Sequence, residues 1–281
     1  MLRYPGLIVL GGLALLAAPG AAQQTLGDTI PRAAPDTPAA VEQGGATGFI
    51  GLGAALTPRY EGADRYQASP FLIATVDWKG LEFQLRGLRA RVDLFGESPF
   101  MLGPAIGTRG NRNRADTRAP LDGLDAIDRP VEVGGFVGYR FGGNARGQGE
   151  IGVDLTVLKD VADAHDGVVA TGQISYALLR AGRVFADIDG QISWADGHYM
   201  RTYFGITPDE AARTGLRATR PGDGLRDVGA GVTAGFQFSR RWGVLGRIGA
   251  TRYVGDARDS PIVEDGSRTQ ITGGVGLTFR F

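Results

Sequence analysis

The sequence contains two histidines, and each lies close to carboxylates. His165 lies between Asp163 and Asp166, and His198 follows Asp196. A neighbouring carboxylate can orient an imidazole ring and raise its basicity, which is how hydrolases prepare a general base. Neither histidine belongs to a recognised nucleophile motif, and an Asp–His pair in a loop is commonly part of a turn. The sequence therefore predicts no catalytic residue and no enzymatic activity, and a hydrolase is kept only as a third alternative.

A metal site and a cofactor are not predicted either. The chain has no cysteine, and its two histidines could hold zinc only together with carboxylates from separate loops. The 30 basic and 30 acidic residues balance to a formal net charge of zero. This balance argues against nucleic acid as a partner.

Charged residues also occur at alternate positions within apolar stretches of the chain. Successive side chains of a β-strand point to opposite faces, so alternate charges share one face of a sheet. What these charges do depends on the strands that position them. They are Arg89, Arg91, Asp93, Arg183, Asp187, Asp189 and Arg247.

The period-two alternation continues through most of the chain after residue 47. Both signs of charge and glycine occupy the polar faces, whereas several apolar faces end in an aromatic residue. A soluble β-sandwich would also alternate, but its polar face would be rich in Lys, Thr and Ser. Lipid outside, a polar interior and aromatic girdles are typical of a transmembrane antiparallel β-barrel. The all-β barrel is therefore the predicted fold for residues 48–281.

The two ends of the chain favour the same setting. Residues 1–22 show an early arginine, a short apolar stretch and small residues, which is the order of a secretory signal peptide. Residues 23–47 are rich in Pro, Ala and Thr and predict a flexible periplasmic linker. The last residues, GGVGLTFRF, form an alternating strand that ends on an aromatic residue. Leu277, Phe279 and Phe281 resemble the signal that the barrel-assembly machinery recognises.

The lengths of the connections constrain the number of strands. Bacterial barrels have an even number of strands, short periplasmic turns and longer outer loops. Long and short connections alternate when the chain is traced back from a periplasmic C-terminus. If the change of apolar parity at Gly87 marks a tight turn, the barrel has about twelve strands. Ten remain an alternative if residues 48–57 are not a wall strand.

A barrel of ten or twelve strands leaves two roles open for the inward charges. They can interlock across a closed interior, where opposite charges offset each other's desolvation. Alternatively, they can line a narrow aqueous path for small solutes.

Three groups of residues in the outer loops are candidates for contacts. Tyr203, Phe204 and Gly205 could form a plug or contact a ligand, or they could fold back and pack onto the barrel mouth. Asp259, Ser260 and Pro261 predict a turn, because Asp bonds to the backbone and Pro fixes φ. Arginine pairs well with phosphate, so an arginine cluster could bind lipopolysaccharide unless interleaved carboxylates neutralise it. The arginines are Arg109, Arg112, Arg114 and Arg118, and the carboxylates are Asp116, Asp122, Asp125 and Asp128.

Five segments in a fixed order carry a resemblance to a known family. They are GLGAALTPRYEGAD (51–64), LDGLDAID (121–128), DAHDG (163–167), HYMRTYFGITPDEAARTGL (198–216) and GDARDSPIVED (255–265). With these segments the mature chain resembles the MipA/OmpV family of outer-membrane proteins. The resemblance implies a scaffold that links the outer membrane to peptidoglycan enzymes, namely a murein lytic transglycosylase and a murein synthase.

The sequence thus predicts a monomeric barrel in the outer membrane of a Gram-negative bacterium. Its expected partners are outer-membrane lipid and lipopolysaccharide, the barrel-assembly machinery and, through the resemblance, the murein enzymes. The predicted function is that of a scaffold, and the alternative is a narrow channel. A scaffold would have only the periplasmic turns, the rim and the linker to offer a periplasmic partner.

Overall fold

Residues 45–281, which a computed structural model describes, form a closed sheet of antiparallel strands. Each strand pairs with its neighbours in sequence, and β1 pairs with β12 to close the barrel. The predicted signal peptide and residues 23–44 of the predicted linker lie outside the described residues. The strands are β1 (Thr47–Pro58), β2 (Tyr66–Trp78), β3 (Leu81–Arg86), β4 (Arg89–Asp93), β5 (Phe100–Gly107), β6 (Glu132–Gly142), β7 (Glu150–Asp160), β8 (Val168–Ala181), β9 (Val184–Ala195), β10 (Gly224–Gln237), β11 (Trp242–Tyr253) and β12 (Thr269–Arg280).

The prediction of twelve strands is confirmed, and the alternative of ten is wrong. β1 pairs with β12 from Phe49 to Leu56 and with β2 over its full length, so this segment is a wall strand. The change of parity at Gly87 marks the turn between β3 and β4. Gly87 has a φ of 58°, a left-handed conformation that glycine adopts without a steric penalty.

Long and short connections lie at opposite ends of the barrel. The short turns are residues 79–80, 94–99, 143–149, 182–183 and 238–241, and the long loops are 59–65, 108–131, 161–167, 196–223 and 254–268. An exception is the turn at 87–88, which joins strands of six and five residues and therefore ends part-way up the wall. By the rule for bacterial barrels, the short turns face the periplasm and the long loops face outward.

The outer surface of the wall is apolar. Leu52, Ile248 and Leu277 are 65%, 60% and 56% exposed, as expected of side chains that face lipid. Trp78 and Trp242 are also exposed and lie at the periplasmic ends of their strands, as expected for an aromatic girdle. Among the described residues, no helix is long and apolar enough to cross a membrane.

The inner surface combines an apolar cluster with polar side chains. Phe49, Phe71, Ile73 and Leu245 are buried together, and Phe185 packs against them. The outer end is covered by four short helices in the long loops: α1 (Gly197–Phe204), α2 (Pro208–Thr214), α3 (Gly255–Arg258) and α4 (Pro261–Asp265). Two 3₁₀ turns, Arg114–Asp116 and Leu121–Gly123, lie in the loop between β5 and β6.

Candidate functional site

Helix α1 forms the centre of a cover over the outer mouth of the barrel. Its N-cap Asp196 accepts a hydrogen bond of 3.0 Å from the backbone nitrogen of Tyr199, which satisfies one of the free donors of the first turn. Tyr199, Tyr203 and Phe204 are each at most 3% exposed. They pack with Tyr253 and with apolar residues of α3 and α4. The cover is therefore a small hydrophobic core of its own.

The candidate loop contacts lie within this cover. Tyr203 and Phe204 are buried, so they pack on the barrel mouth, and Gly205 is the C-cap of α1. Asp259 is exposed, whereas Ser260 is the N-cap of α4 and Pro261 is its first residue. The Ser260 hydroxyl donates to the carbonyl oxygen of Phe204 at 2.7 Å. The predicted turn is thus the start of a helix that is tied to α1.

Tyr199 lies at the centre of a buried network of charges. The guanidinium carbons of Arg109 and Arg226 each lie 5.2 Å from its ring centroid. Its hydroxyl donates to Glu61 Oε1 at 2.5 Å and accepts from Arg226 at 2.6 Å. Burial raises the pKa of the Tyr199 hydroxyl well above its ordinary value, and the two arginines oppose this shift. Tyr199 therefore remains protonated and joins three charged side chains.

His165 belongs to the same network, but its partners differ from those that the sequence suggested. Its Nδ1 accepts from the backbone nitrogen of Gly167 at 3.0 Å, which leaves the proton on Nε2 for Glu132 Oε1 at 3.2 Å. The neighbouring Asp163 and Asp166 are exposed. Both ring nitrogens are thus engaged in structural contacts. His198 is exposed on α1.

The arginine cluster that could have met lipopolysaccharide is not one surface, and that expectation is wrong for two of its members. Arg109 is buried and donates to Glu132 at 2.5 Å. Arg112 is buried and donates to the carbonyl oxygen of Tyr203 at 3.3 Å. Burial lowers the pKa of Arg112, although neighbouring acids and tyrosines oppose this. Arg114 and Arg118 are exposed.

Two of the interleaved carboxylates pair with arginines outside the cluster. Asp116 lies 3.2 Å from Arg59, and Asp125 lies 2.8 Å from Arg213. Arg118 pairs with Asp64 at 2.8 Å. These ion pairs tie the loop between β5 and β6 to its neighbours, and the sequence could not assign them.

Most of the candidate lumen charges point inward and are buried in ion pairs. Arg247 on β11 contacts Asp189 on β9 with both terminal nitrogens, one of them at 2.7 Å. Its side chain crosses β10 over Gly231, where a Cβ atom would lie 2.3 Å from the guanidinium. Arg91 on β4 reaches Asp154 on β7 at 3.1 Å and lies 4.4 Å from the ring centroid of Phe136. The interior is thus bridged between non-adjacent strands.

Of the remaining candidate lumen charges, Asp187, Asp93 and Arg89 are buried as their parity predicts, whereas Arg183 is not. Asp187 pairs with Arg180 at 2.6 Å, and Arg140 lies 3.1 Å from Glu82 and 3.7 Å from Asp93. Arg89 is also buried. Arg183 shares the parity of Asp187 but is exposed in the turn before β9. It is therefore not a lumen charge, because the wall begins only at Val184.

Four further charged residues of the lumen were not predicted from the sequence: Arg140, Arg180, Glu82 and Asp154. Glu82, Arg140 and Asp154 lie on the polar parity of their strands, so alternation could have found them. Arg180 could not be found in this way, because the register of β8 shifts between Ala177 and Leu179. Such a bulge moves a side chain to the other face.

The C-terminal residues close the seam of the barrel. The backbone nitrogens and carbonyls of Phe281 and Gly48 exchange two hydrogen bonds, of 3.1 and 3.2 Å. Leu277 faces outward, and the ring of Phe279 lies 5.0 Å from that of Trp242 in an edge-to-face contact. The role of Leu277, Phe279 and Phe281 as an assembly signal stays a prediction.

An even-stranded antiparallel barrel with an apolar outer face and a charged interior defines the class of outer-membrane β-barrel proteins. The model of the family described as "MltA-interacting protein MipA" matches residues 50–281. The chain belongs to this family.

Two curated relatives, both named MltA-interacting protein, come from Escherichia coli (strain K12) and Shigella flexneri. Each is 29% identical over 126 residues, which are 45% of this chain and 49% of the relative. The chain thus spans about half the length of the curated relatives it matches.

Solved structures of outer-membrane proteins are similar at low identity. An outer membrane channel from Pseudomonas putida F1 is 11% identical, with a TM-score of 0.47, over 90% of this chain and 100% of that chain. The translocator domain of the autotransporter NalP from Neisseria meningitidis is 10% identical, with a TM-score of 0.41, over 84% of this chain and 88% of that chain.

Proposed function

We propose that this barrel is a non-catalytic scaffold that binds a murein lytic transglycosylase at its periplasmic end and brings a murein synthase to the same place. The name of the curated relatives, MltA-interacting protein, supports a partner of the first kind. The relatives match over only part of their length, so the partner is a proposal for this chain.

The observation that carries this proposal is the pairing of the inward charges of the barrel. Asp187, Arg91 and Arg247 are each at most 7% exposed, and α1 to α4 cover the outer mouth. A barrel whose inward charges are paired and whose outer mouth is covered by its own helices offers its surfaces to partners. The periplasmic turns are the surface that a periplasmic enzyme can reach.

The charges of the periplasmic turns favour an acidic partner. These turns contain the basic residues Lys79, Arg146, Arg183, Arg240 and Arg241, all exposed, and a single acidic residue, Glu97. The outer loops contain basic and acidic residues in similar numbers. One sign of charge on a rim steers a partner of opposite sign and fixes its orientation.

A binding measurement with purified proteins tests the scaffold. The refolded barrel in lipid nanodiscs should retain a purified lytic transglycosylase, and the double variant Arg240→Glu/Arg241→Glu should weaken binding at least tenfold. The matched control is Arg217→Glu/Arg220→Glu, because these residues are exposed in the outer loop between β9 and β10. Equal binding by the wild type and both double variants would exclude the basic rim as the docking surface. Absence of binding by the wild type would exclude this partner.

Deletion of residues 23–44 tests the predicted linker as the alternative docking segment. If the predicted linker holds the partner, this deletion weakens binding while the double variant of the turns does not. The two results together therefore distinguish binding of the partner by the basic turns from binding by the predicted linker.

A further inference from the structure

The lipid-facing wall carries an apolar groove across strands β8 to β12. Its volume is about 650 Å³. Small residues, Gly190, Ala230 and Ala250, form its floor, and Ile188, Val232 and Ile248 form the wall on its periplasmic side. Neighbouring strands at the same membrane depth present larger side chains, so the groove is a local depression in the outer face.

The groove rises from the middle of the membrane towards the outer interface. One row of paired residues, Ile174, Gly190, Ala230, Ala250 and Ile271, follows it from β8 to β12. Ile174 is near the middle of β8, whereas Ile271 is near the outer end of β12. Because this row of paired residues crosses tilted strands, a molecule bound in the groove would lie along the same inclined row.

The groove is long enough for part of an acyl chain. The exposed side chains of Ile174 and Ile271 bound it at β8 and β12. Its floor of small residues therefore covers the two interstrand spacings from β9 to β11, which is about 10 Å. One leaflet of the hydrocarbon core is roughly 15 Å deep, so this inclined floor matches the outer part of an acyl chain that descends from the outer interface.

A cation lies at the outer end of the groove. Arg252 follows Ala250 by two residues on β11, pairs with the outward-facing Val228 and is exposed. Its guanidinium donates to Thr269 Oγ1 at 3.3 Å, and among residues 45–281 it forms no ion pair with a carboxylate. An arginine on the lipid face near the interface is well placed to bind a phosphate.

We propose that this groove and Arg252 form a binding site for lipid A, the phosphorylated and acylated anchor of lipopolysaccharide in the outer leaflet. One acyl chain lies over Gly190, Ala230 and Ala250, and a glucosamine phosphate contacts Arg252. This site differs from the cluster of Arg109 to Arg118, whose buried members are engaged inside the barrel. It is independent of the scaffold role.

Native mass spectrometry of the refolded barrel, titrated with purified lipid A in mild detergent, tests the site. Ala230→Leu fills the floor, and Arg252→Gln removes the cation; each should weaken lipid A binding at least tenfold. The matched controls are Ala234→Leu, on the same face of β10 outside the groove, and Lys159→Gln, an exposed cation at the outer end of β7. Far-UV circular dichroism and heat-modifiable migration confirm that each variant is folded.

Two further lipids test which part of lipid A the site recognises. Lipid A that lacks its phosphates should bind the wild type as weakly as lipid A binds Arg252→Gln, and phosphatidylglycerol should bind at least tenfold more weakly than lipid A. Equal affinity for lipid A and phosphatidylglycerol would assign the groove to bilayer lipid in general and overturn the proposal. Equal lipid A binding by the wild type, Ala230→Leu and Arg252→Gln would do so as well. If one variant does not fold, the other and the dephosphorylated lipid still decide.

Discussion

Tyr199 shows how a single side chain holds the cover of the barrel together. Its hydroxyl lies between Glu61 and Arg226, and its ring lies close to Arg109 as well as Arg226. All four side chains are buried. Buried charges need partners because their desolvation is costly. The hydroxyl therefore links the loop after β1 to the cover and to β10.

The variant Tyr199→Phe removes this link. Glu61 loses a donor and Arg226 loses an acceptor, so the outer cover should be destabilised by about 1–3 kcal/mol, the usual cost of an unmade buried hydrogen bond. Urea unfolding in micelles, with limited proteolysis of loop 196–223, measures the change. Tyr176→Phe, at a lipid-facing position of β8, is the control and should behave as the wild type. Equal stability of both variants would show that the hydroxyl does not hold the cover.

Gly231 leaves the space through which the Arg247 side chain crosses β10. A methyl group at this position would displace the Arg247 guanidinium, which crosses β10 to reach Asp189. Gly231→Ala should therefore loosen this buried ion pair and lower the free energy of unfolding, by less than the roughly 3–5 kcal/mol that removal of one partner costs, because the guanidinium ends a flexible side chain. Gly246→Ala is the control, because its Cβ would lie 3.7 Å from the nearest carbonyl oxygen, an ordinary contact. Equal unfolding midpoints for the two variants would contradict the crossing of β10 by Arg247.

The strands could be predicted from the sequence much further than the contacts between their side chains. Alternation assigns a face to each residue, so it identified Asp187, Asp189 and Arg247 as inward. It cannot tell where a strand begins, and Arg183 with the same parity therefore lies in a turn. It also cannot pair Arg91 with Asp154 or Arg247 with Asp189, because those partners depend on the stagger and width of the closed barrel.

The sequence contains helix-capping signals for the cover, and the alternation of apolar and polar residues does not include them. Thr207 and Glu210 form a capping box, and Pro208 is the first residue of α2. Ser260 followed by Pro261 begins α4 in the same way. A polar N-cap followed by proline is a recognised start of a helix. The packing of Tyr203 and Phe204 could not be predicted, because it joins loops that are distant in sequence.

The capping box makes helix α2 sensitive to acid. Burial raises the pKa of Glu210, but hydrogen bonds from Thr207 and from the backbone of Asp125 outweigh it, so the net pKa lies below the ordinary 4.5. A carboxyl group with a lowered pKa stabilises the fold above its unfolded-state pKa, and this contribution is lost as the pH falls through the folded-state value.

The variant Glu210→Gln tests this dependence. At pH 7 its thermal midpoint should lie below that of the wild type, and the difference should shrink as the pH is lowered from 4.5. Thermal unfolding across this range measures it. Asp209→Asn is the control, since Asp209 is exposed one position earlier on α2. If the difference between the wild type and Glu210→Gln does not change with pH, the shape of the Glu210 side chain, and not its charge, stabilises the start of α2.

The barrel as one body has two chemically distinct ends. The periplasmic turns are short and mainly basic, whereas the outer end carries long loops of both signs and a buried core. The orientation follows from loop length and assigns each rim to its side of the membrane. Trypsin added to intact cells should cut within residues 195–226, where Arg217 and Arg220 are exposed. Cleavage only after the outer membrane is breached would reverse the orientation and exchange the two rims.

The pairing of the buried lumen charges is the property on which the assignment of function to the surfaces depends. Single-channel recording of the purified, refolded protein in a planar bilayer tests it directly. We expect a folded barrel that inserts without conductance steps, because the lumen charges are paired and the outer mouth is covered. Discrete, reproducible steps that change when Asp187 or Arg89 is neutralised would contradict this. Such steps would show that the same charges line a narrow channel for small solutes.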